Sequence, residues 1–429
     1  MNMHLRKKVL RLERMDMIMA MFKRIVLVFM ALVAVLRCGS LKNETFSVKA
    51  ERIHAKILTL DSHVDTPMRV FLRPADLSVR HRHSEKGAGH LDFPRMKEGG
   101  LDAAFFAVYV RQADCTEKGR ADAKMRAEKM IDLVLDWRKQ YPSLVEVAFA
   151  PEDADRIRGT GKRIAYIGME NGFPLETDTA LVRHFFKRGV RYITLCHLRN
   201  NDICDSSSEP GDPKWNGLSP LGRAVVREMN RVGMLIDLSH ASDSTFYQAL
   251  RISKTPVILS HSCCRALMDS PRNLTDDMLL ALKRNGGVIQ INLCSFYLIK
   301  SPKNPARQAS LDSLKKIYGE RNNITEPDKL QEYEDARAAV DRAFPEPKAT
   351  VKDLADHIDH AVKVCGGDHV GIGSDFDGGA GLSDCEDVSQ MRKITLELVR
   401  RGYSESDIAK IWSGNFIRVW KEVLKKAEN

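Results

Sequence analysis

The side chains able to do chemistry recur at one kind of place, the downstream end of a short apolar run. KILTL (56–60) leads into Asp61-Ser62-His63-Val64-Asp65 and RIAYIGM (163–169) into Glu170. RYITLC (191–196) leads into His197, MLIDL (234–238) into His240, PVILS (256–260) into His261, and HVGIGS (369–374) into Asp375. Imidazole and carboxylate together are the donors that suit zinc or a similar divalent ion. A single His at a strand end is ordinarily a hydrogen-bonded structural residue, but six such groups at the same end of successive runs point to a metal site. His63 and Asp65 form a local pair, because the two-residue period of a strand aims both to one side.

Three His and two carboxylates build a pair of ion sites if one carboxylate is shared. Glu170 is the natural bridge, since Asp65 is tied to His63 by spacing while His240 and His261 follow neighbouring runs. One ion is then expected on His63, Asp65 and Glu170 and the other on Glu170, His240 and His261, each with an open position. A water held between two such ions loses a proton near neutral pH and becomes the nucleophile.

Something must bring these residues together from across some three hundred positions. With AAFFAVYV (103–110) and GVIQINL (287–293), the apolar runs make eight strand candidates, alternating with amphipathic stretches such as 221–233 and 242–253, the latter opening on a Ser cap. Eight such alternations predict a (β/α)8 TIM-type barrel, whose strand ends all face one mouth. No Gly-rich phosphate or dinucleotide loop follows any strand. About 75 residues separate the last two strands, and the charged stretch 301–350 predicts a helical insertion before the last strand, either a rim over the mouth or a solvated appendage. Ser404 and Asp407 have the spacing of a capping box.

The segments DSHVDTP, GMENG, TLCH, GLSPLGRAVVREMNRVGMLIDLSH, LSHSCCRAL, PRNLTDDML and GIGSDFDG, in that order, resemble the membrane (renal-type) dipeptidases, peptidase family M19, from about Ile57 to the C-terminal helices. The resemblance implies a metal-dependent hydrolase barrel with two zinc ions bridged by Glu170, and zinc ligands at His63, Asp65, Glu170, His240 and His261. It implies that His197 contacts substrate and stabilises the tetrahedral intermediate, that Arg272 binds the free carboxylate of a dipeptide, and that Asp375 moves the proton from the nucleophile side to the leaving amine. Dipeptides are the expected substrates, and a homodimer the expected assembly. Two departures stand out: Cys263 and Cys264 directly after His261, read as core cysteines, and the long insertion.

The remaining composition fits this reading. A chain of 429 residues, 43% hydrophobic and 29% charged, is globular rather than disordered or fibrous. Of its formal charge of +10, +6 falls between Met1 and Cys38. The near-balanced body argues against nucleic acid as a partner. Residues 1–20 read as a leader or non-native extension. Residues 21–38 read as a signal peptide, with two cations, twelve apolar residues from Ile25 to Leu36, and small residues after Cys38. Cleavage, lipid attachment at Cys38 and an uncleaved membrane anchor stay open, as do periplasmic, secreted and lipid-anchored fates in a bacterial envelope. A single domain is expected over 39–429. Eight further cysteines permit disulfides without revealing connectivity. Two other functions compete: a binuclear barrel hydrolase acting on cyclic amides or phosphoesters, and a catalytically silent binding protein on the same scaffold.

Overall fold

The computed structural model describes residues 44–428 except 83, 84, 86, 320–323 and 325, together with positions 17, 19, 21 and 23. The expected leader and export signal therefore lie outside the described residues, those four positions apart. No helix among the described residues is long and apolar enough to cross a membrane. Contacts divide the chain into Met1–Lys49 and a compact unit, Ala50–Asn429, which holds everything below.

Among the described residues nine strands form: β1 (Leu60–Val64), β2 (Ala103–Tyr109), β3 (Val145–Val147), β4 (Arg163–Glu170), β5 (Val190–Thr194), β6 (Leu235–Asp237), β7 (Ile258–Ser262), β8 (Val288–Ile291) and β9 (Val370–Ile372). All pairings are parallel, in the order β1-β2-β4-β5-β6-β7-β8-β9, with β3 added at β4. The ring closes through a parallel bridge between Val64 and Phe376, where Asp65 N donates to Phe376 O at 2.7 Å and Asp375 N to His63 O at 2.9 Å. The fold is thus the expected (β/α)8 barrel, and short β3 is the strand the apolar pattern did not single out.

Strand alternation sorts the core into two parts. Leu60, Phe105, Tyr166, Tyr192, Leu235, Ile258 and Val288 fill the barrel interior together with Phe416, Val419 and Trp420 of the last helix, Asn415–Lys425, which plugs the bottom. Their neighbours Ala104, Phe106, Ile167, Ile193, Ile236, Leu259 and Ile289 face outward into the larger core shared with the helices. Helix starts follow local chemistry: Ser219, Ser242 and Thr275 each accept a hydrogen bond from the backbone N–H three residues on, and Thr350–Asp353 and Ser404–Asp407 are full capping boxes.

Strand boundaries shift where the site begins. The first strand is LDSHV rather than KILTL, because Lys56 ends a helix and the polar residues Asp61, Ser62 and His63 are themselves buried strand residues. The strand read at 256–260 becomes Ile258–Ser262, which takes in His261. The insertion is helical, with Pro305–Tyr318 and Pro327–Ala343 packed around a small core of Leu314, Ile324 and Tyr333. The eight described cysteines are all unpaired, and Cys263 and Cys264 are buried core residues.

Candidate metal centre

Two backbone irregularities build the site. In β1, Leu60 fills the barrel floor and His63 three residues later also faces inward, which strict alternation forbids. The pairing register shifts between Asp61 and Val64 and supplies the odd step. The same device recurs in β7, where the register shifts between Leu259 and Ser262 and both Ile258 and His261 turn inside. Glu170 needs no such device, because Ile164, Tyr166, Gly168 and Glu170 form the inward row of β4, rising from floor to mouth. His240 and Asp375 leave their strands with left-handed backbone, φ 67° and 63°, strained for non-glycine residues and concentrated here at the mouth.

Asp65 sits at the N-cap position of the helix Thr66–Leu72 yet makes no capping bond. Its carboxylate instead lies 3.7 Å from His63 Nε2. Glu170 is central: Oε2 is 3.6 Å from His63 Nε2, while Oε1 is 3.0 Å from His240 Nε2, 3.4 Å from His261 Nε2 and 3.6 Å from His197 Nε2. The Nε2 atoms of His240 and His261 converge to 2.9 Å. Donor atoms fall into three overlapping groups: His63, Glu170 and His261; Glu170, His197 and His240; His63, Asp65 and Asp375. The seven residues read from the strand ends as donors therefore meet at one mouth. His197 and Asp375 stand as near to the donor cluster as the five expected ligands.

The donor set fits a cation. His63 Nε2 and Asp65 Oδ1 are buried without a hydrogen-bond partner. Burial and neighbouring Glu170 push Asp65 up to about 8. Burial also disfavours ionised Glu170, but the imidazoles of His197 and His63 hold it well below the usual carboxylate range. Burial lowers His240 and His261, and takes His197 down to about 4. Burial lowers His63 too, but Tyr192, Glu170 and Asp65 outweigh it and raise His63 well above its ordinary value. Crowded carboxylates and imidazoles that compete for protons in a buried site are a ligand set that a divalent ion stabilises.

Supporting residues that the motif reading did not identify fix the candidate ligands. Tyr192, rising from the floor, shares a 2.8 Å hydrogen bond with His63 Nδ1, which leaves Nε2 for the centre. Gly168 makes room for it, since a Cβ there would lie 2.1 Å from the Tyr192 ring. Ser260 Oγ bonds His261 Nδ1 at 2.8 Å and donates to Asp237 Oδ2 at 2.6 Å, so Asp237 orients His261 through a hydroxyl. The available signal was an Asp closing β6 three residues before His240 and a Ser before His261, and only contact reveals their roles. Asp375 Oδ2 accepts from Asn292 Nδ2 at 3.1 Å and from the Cys294 thiol at 3.2 Å. Arg272 is buried against the site, with Nη1 on Ser262 Oγ at 3.0 Å, Nη2 on His261 O at 2.8 Å and Nε without a partner.

Imidazoles and carboxylates converging at the C-terminal mouth of a parallel barrel define a metal-dependent barrel hydrolase. The profile described as membrane dipeptidase, peptidase family M19, matches residues 47–429, and the chain belongs to that metallo-dipeptidase family. It is similar to Dipeptidase tcpJ of Claviceps purpurea, 35% identical over 78% of this chain and 70% of that one. It is also similar to Dipeptidase 3 of Mus musculus, 32% identical over 86% of this chain and 65% of that one. Among solved structures it resembles the probable dipeptidase PvdM from Pseudomonas aeruginosa, with 33% identity and a TM-score of 0.75, covering 89% of this chain and 99% of that chain.

Proposed function

We propose that the protein is a zinc-dependent hydrolase of dipeptides with a free C-terminal carboxylate. Two ions would be held at the barrel mouth, one by His63, Asp65 and Glu170 and the other by Glu170, His240 and His261. The observation that carries this is Glu170, whose two oxygens face His63 on one side and His240 and His261 on the other. Zinc bound there would supply Lewis-acid polarisation of the peptide carbonyl and a water ionised near neutral pH.

The protein's own groups do the rest. Arg272 offers its unpartnered Nε beside the site, and a guanidinium fork matches a carboxylate, which selects substrates ending one residue past the scissile bond. His197, at 19% the most exposed of the site imidazoles and packed against Tyr109, is placed to donate to the oxyanion as it develops. Asp375 has Oδ2 engaged by Asn292 and Cys294, and it carries the proton to the leaving amine. Export to a bacterial envelope through residues 21–38, with 39–429 as one catalytic domain acting as a homodimer, completes the reading.

The test is a panel of dipeptides beside their N-acetylated and C-amidated analogues, with metal content determined on the same sample. Free dipeptides should be cleaved in proportion to bound zinc, with activity lost on chelation and restored by zinc. Amidated analogues should fail in wild type, whereas equal turnover of both would refute the Arg272 role. Undiminished activity after exhaustive chelation would refute the metal.

A further inference from the structure

Beside the metal centre lies a cavity of about 460 Å³ that the roles assigned so far leave unused, walled by the barrel mouth on one side and the insertion on the other. That volume lies within the range of about 300–1,000 Å³ usual for small-ligand sites. Its inner wall is the short helix Ser295–Leu298 together with residues 379–381, which follow Asp375 in the chain. Its outer wall is the end of the insertion, at Pro345 and Pro347.

We propose that this cavity is the subsite for the side chain of the substrate's C-terminal residue, that it selects apolar and aromatic side chains, and that Phe296 is the specificity-determining contact. The inference rests on the dipeptidase reading, with Arg272 and Asp375 in the roles given above. The Cα of that residue carries three substituents that must be placed: the amine that leaves, the carboxylate and the side chain. Asp375 receives the amine and is held by the Cys294 thiol at 3.2 Å. Arg272 takes the carboxylate and lies over the Tyr297 ring at 5.3 Å. Phe296 stands between Cys294 and Tyr297 in the chain, against Tyr297 with ring centroids 4.3 Å apart. Facing it is Gly379, where a Cβ would sit 3.6 Å from both the Phe296 ring and Cys294 Sγ, so glycine backbone and ring are in contact at the cavity's inner edge. The stretch between Cys294, which contacts Asp375, and Tyr297, which contacts Arg272, is thus the stretch that lines the cavity.

The charge pattern sets the preference. Arg307, buried at 6% exposure, is paired with Asp341 at 2.7 Å and Glu346 at 2.8 Å. Arg337 also pairs with Asp341, at 3.2 Å, and Lys348 with Glu386, at 3.6 Å. The charged groups of the wall are thus paired among themselves or, for Lys348, with Glu386, and His90, Ser295 and Ser301 complete its polar part. The apolar surface left to a ligand is the half-exposed Phe296 ring, 51% accessible, with Pro345 and Pro347. Desolvating that surface favours an apolar partner.

The test compares zinc-loaded wild type, Phe296→Ala and Phe296→Leu on Ala-Gly, Ala-Leu and Ala-Phe, with Phe-Ala against Ala-Ala as the reversed pair. Truncating a half-exposed ring leaves no core cavity, and thermal melting confirms folding. Wild type should prefer Ala-Phe to Ala-Gly. Phe296→Ala should shrink that kcat/KM ratio about ten-fold, mainly through KM, as befits a lost pocket contact, and Phe296→Leu should recover much of it. An unchanged ratio, or a shift in the Phe-Ala to Ala-Ala ratio instead, overturns the subsite while leaving the dipeptidase reading standing. Failure of zinc-loaded wild type to cleave any of these peptides overturns the dipeptidase reading and the subsite with it.

Discussion

Replacing Tyr192 by Phe isolates the support given to His63, one of the proposed ligands. The hydroxyl makes a 2.8 Å bond to His63 Nδ1 with both residues wholly buried, and the phenyl ring keeps its place against Phe105, ring centroids 5.4 Å apart, and beneath His63 at 6.3 Å. The variant therefore loses one oxygen atom and little packing. Losing a neutral buried hydrogen bond costs about 1 kcal/mol of stability. The larger effect falls on the metal, because His63 loses the partner that sets its tautomer and ring orientation, and such outer partners are worth about 10–100-fold in affinity. That corresponds to about 1.4–2.8 kcal/mol. Competition of the apoprotein against a chelating zinc indicator reads this directly, with thermal melting of the same apoprotein alongside. The expected result is weaker binding of one zinc per chain and a modestly lower Tm. A variant that melts lower but binds zinc as wild type does would show Tyr192 to be a packing residue and refute the argument.

Two further predictions follow from neighbouring positions. A Cβ on Gly378 would lie 2.1 Å from Asp375 Oδ1 and 2.2 Å from Asp65 Oδ2, so Gly378→Ala collides with both carboxylates at once. A misplacement of this size costs about 100-fold in turnover, and steady-state kinetics with metal analysis would show reduced kcat, whereas full activity would contradict the packing. Asp377 accepts from Thr66, Arg69 and the His90 backbone; burial opposes its ionisation, yet hydrogen bonding from His90 and the Arg69 charge hold it well below its ordinary 3.8. A depressed carboxylate stabilises the fold above its unfolded pKa and loses that contribution as pH falls toward the folded one. Asp377→Asn should thus be destabilised near neutral pH by about 2–3 kcal/mol, with the gap to wild type narrowing as pH is taken below about 4. A gap constant with pH, measured by denaturant unfolding, would remove the charge from the explanation.

The parts of this architecture legible in sequence were those written in local pattern. Short β-branched runs marked the barrel strands, and Ser242 and Ser404 stand where helices begin. All seven strand-end donors meet at the mouth. What escaped was set by tertiary context. β1 was displaced because the polar residues Asp61, Ser62 and His63 end the apolar run, whereas the barrel buries them: Asp61 accepts from the backbone of His63 and Ser374, and Ser62 donates to Ser260 O. β3, three residues long, carries too little pattern to register. The inward turn of His63 and His261 depends on register shifts that no residue type announces. Asp65 was assigned by strand alternation, but it lies beyond β1 at a helix N-terminus, and it reaches His63 by leaving that helix uncapped.

The central claim is that Glu170 stands between two ions. It is tested most directly by zinc-edge anomalous diffraction from crystals of the zinc-loaded protein. The account predicts two peaks per chain, each about 2.0–2.2 Å from a Glu170 oxygen, one shared with His63 and Asp65 and the other with His240 and His261. A single peak, or a second peak out of reach of Glu170, would contradict it.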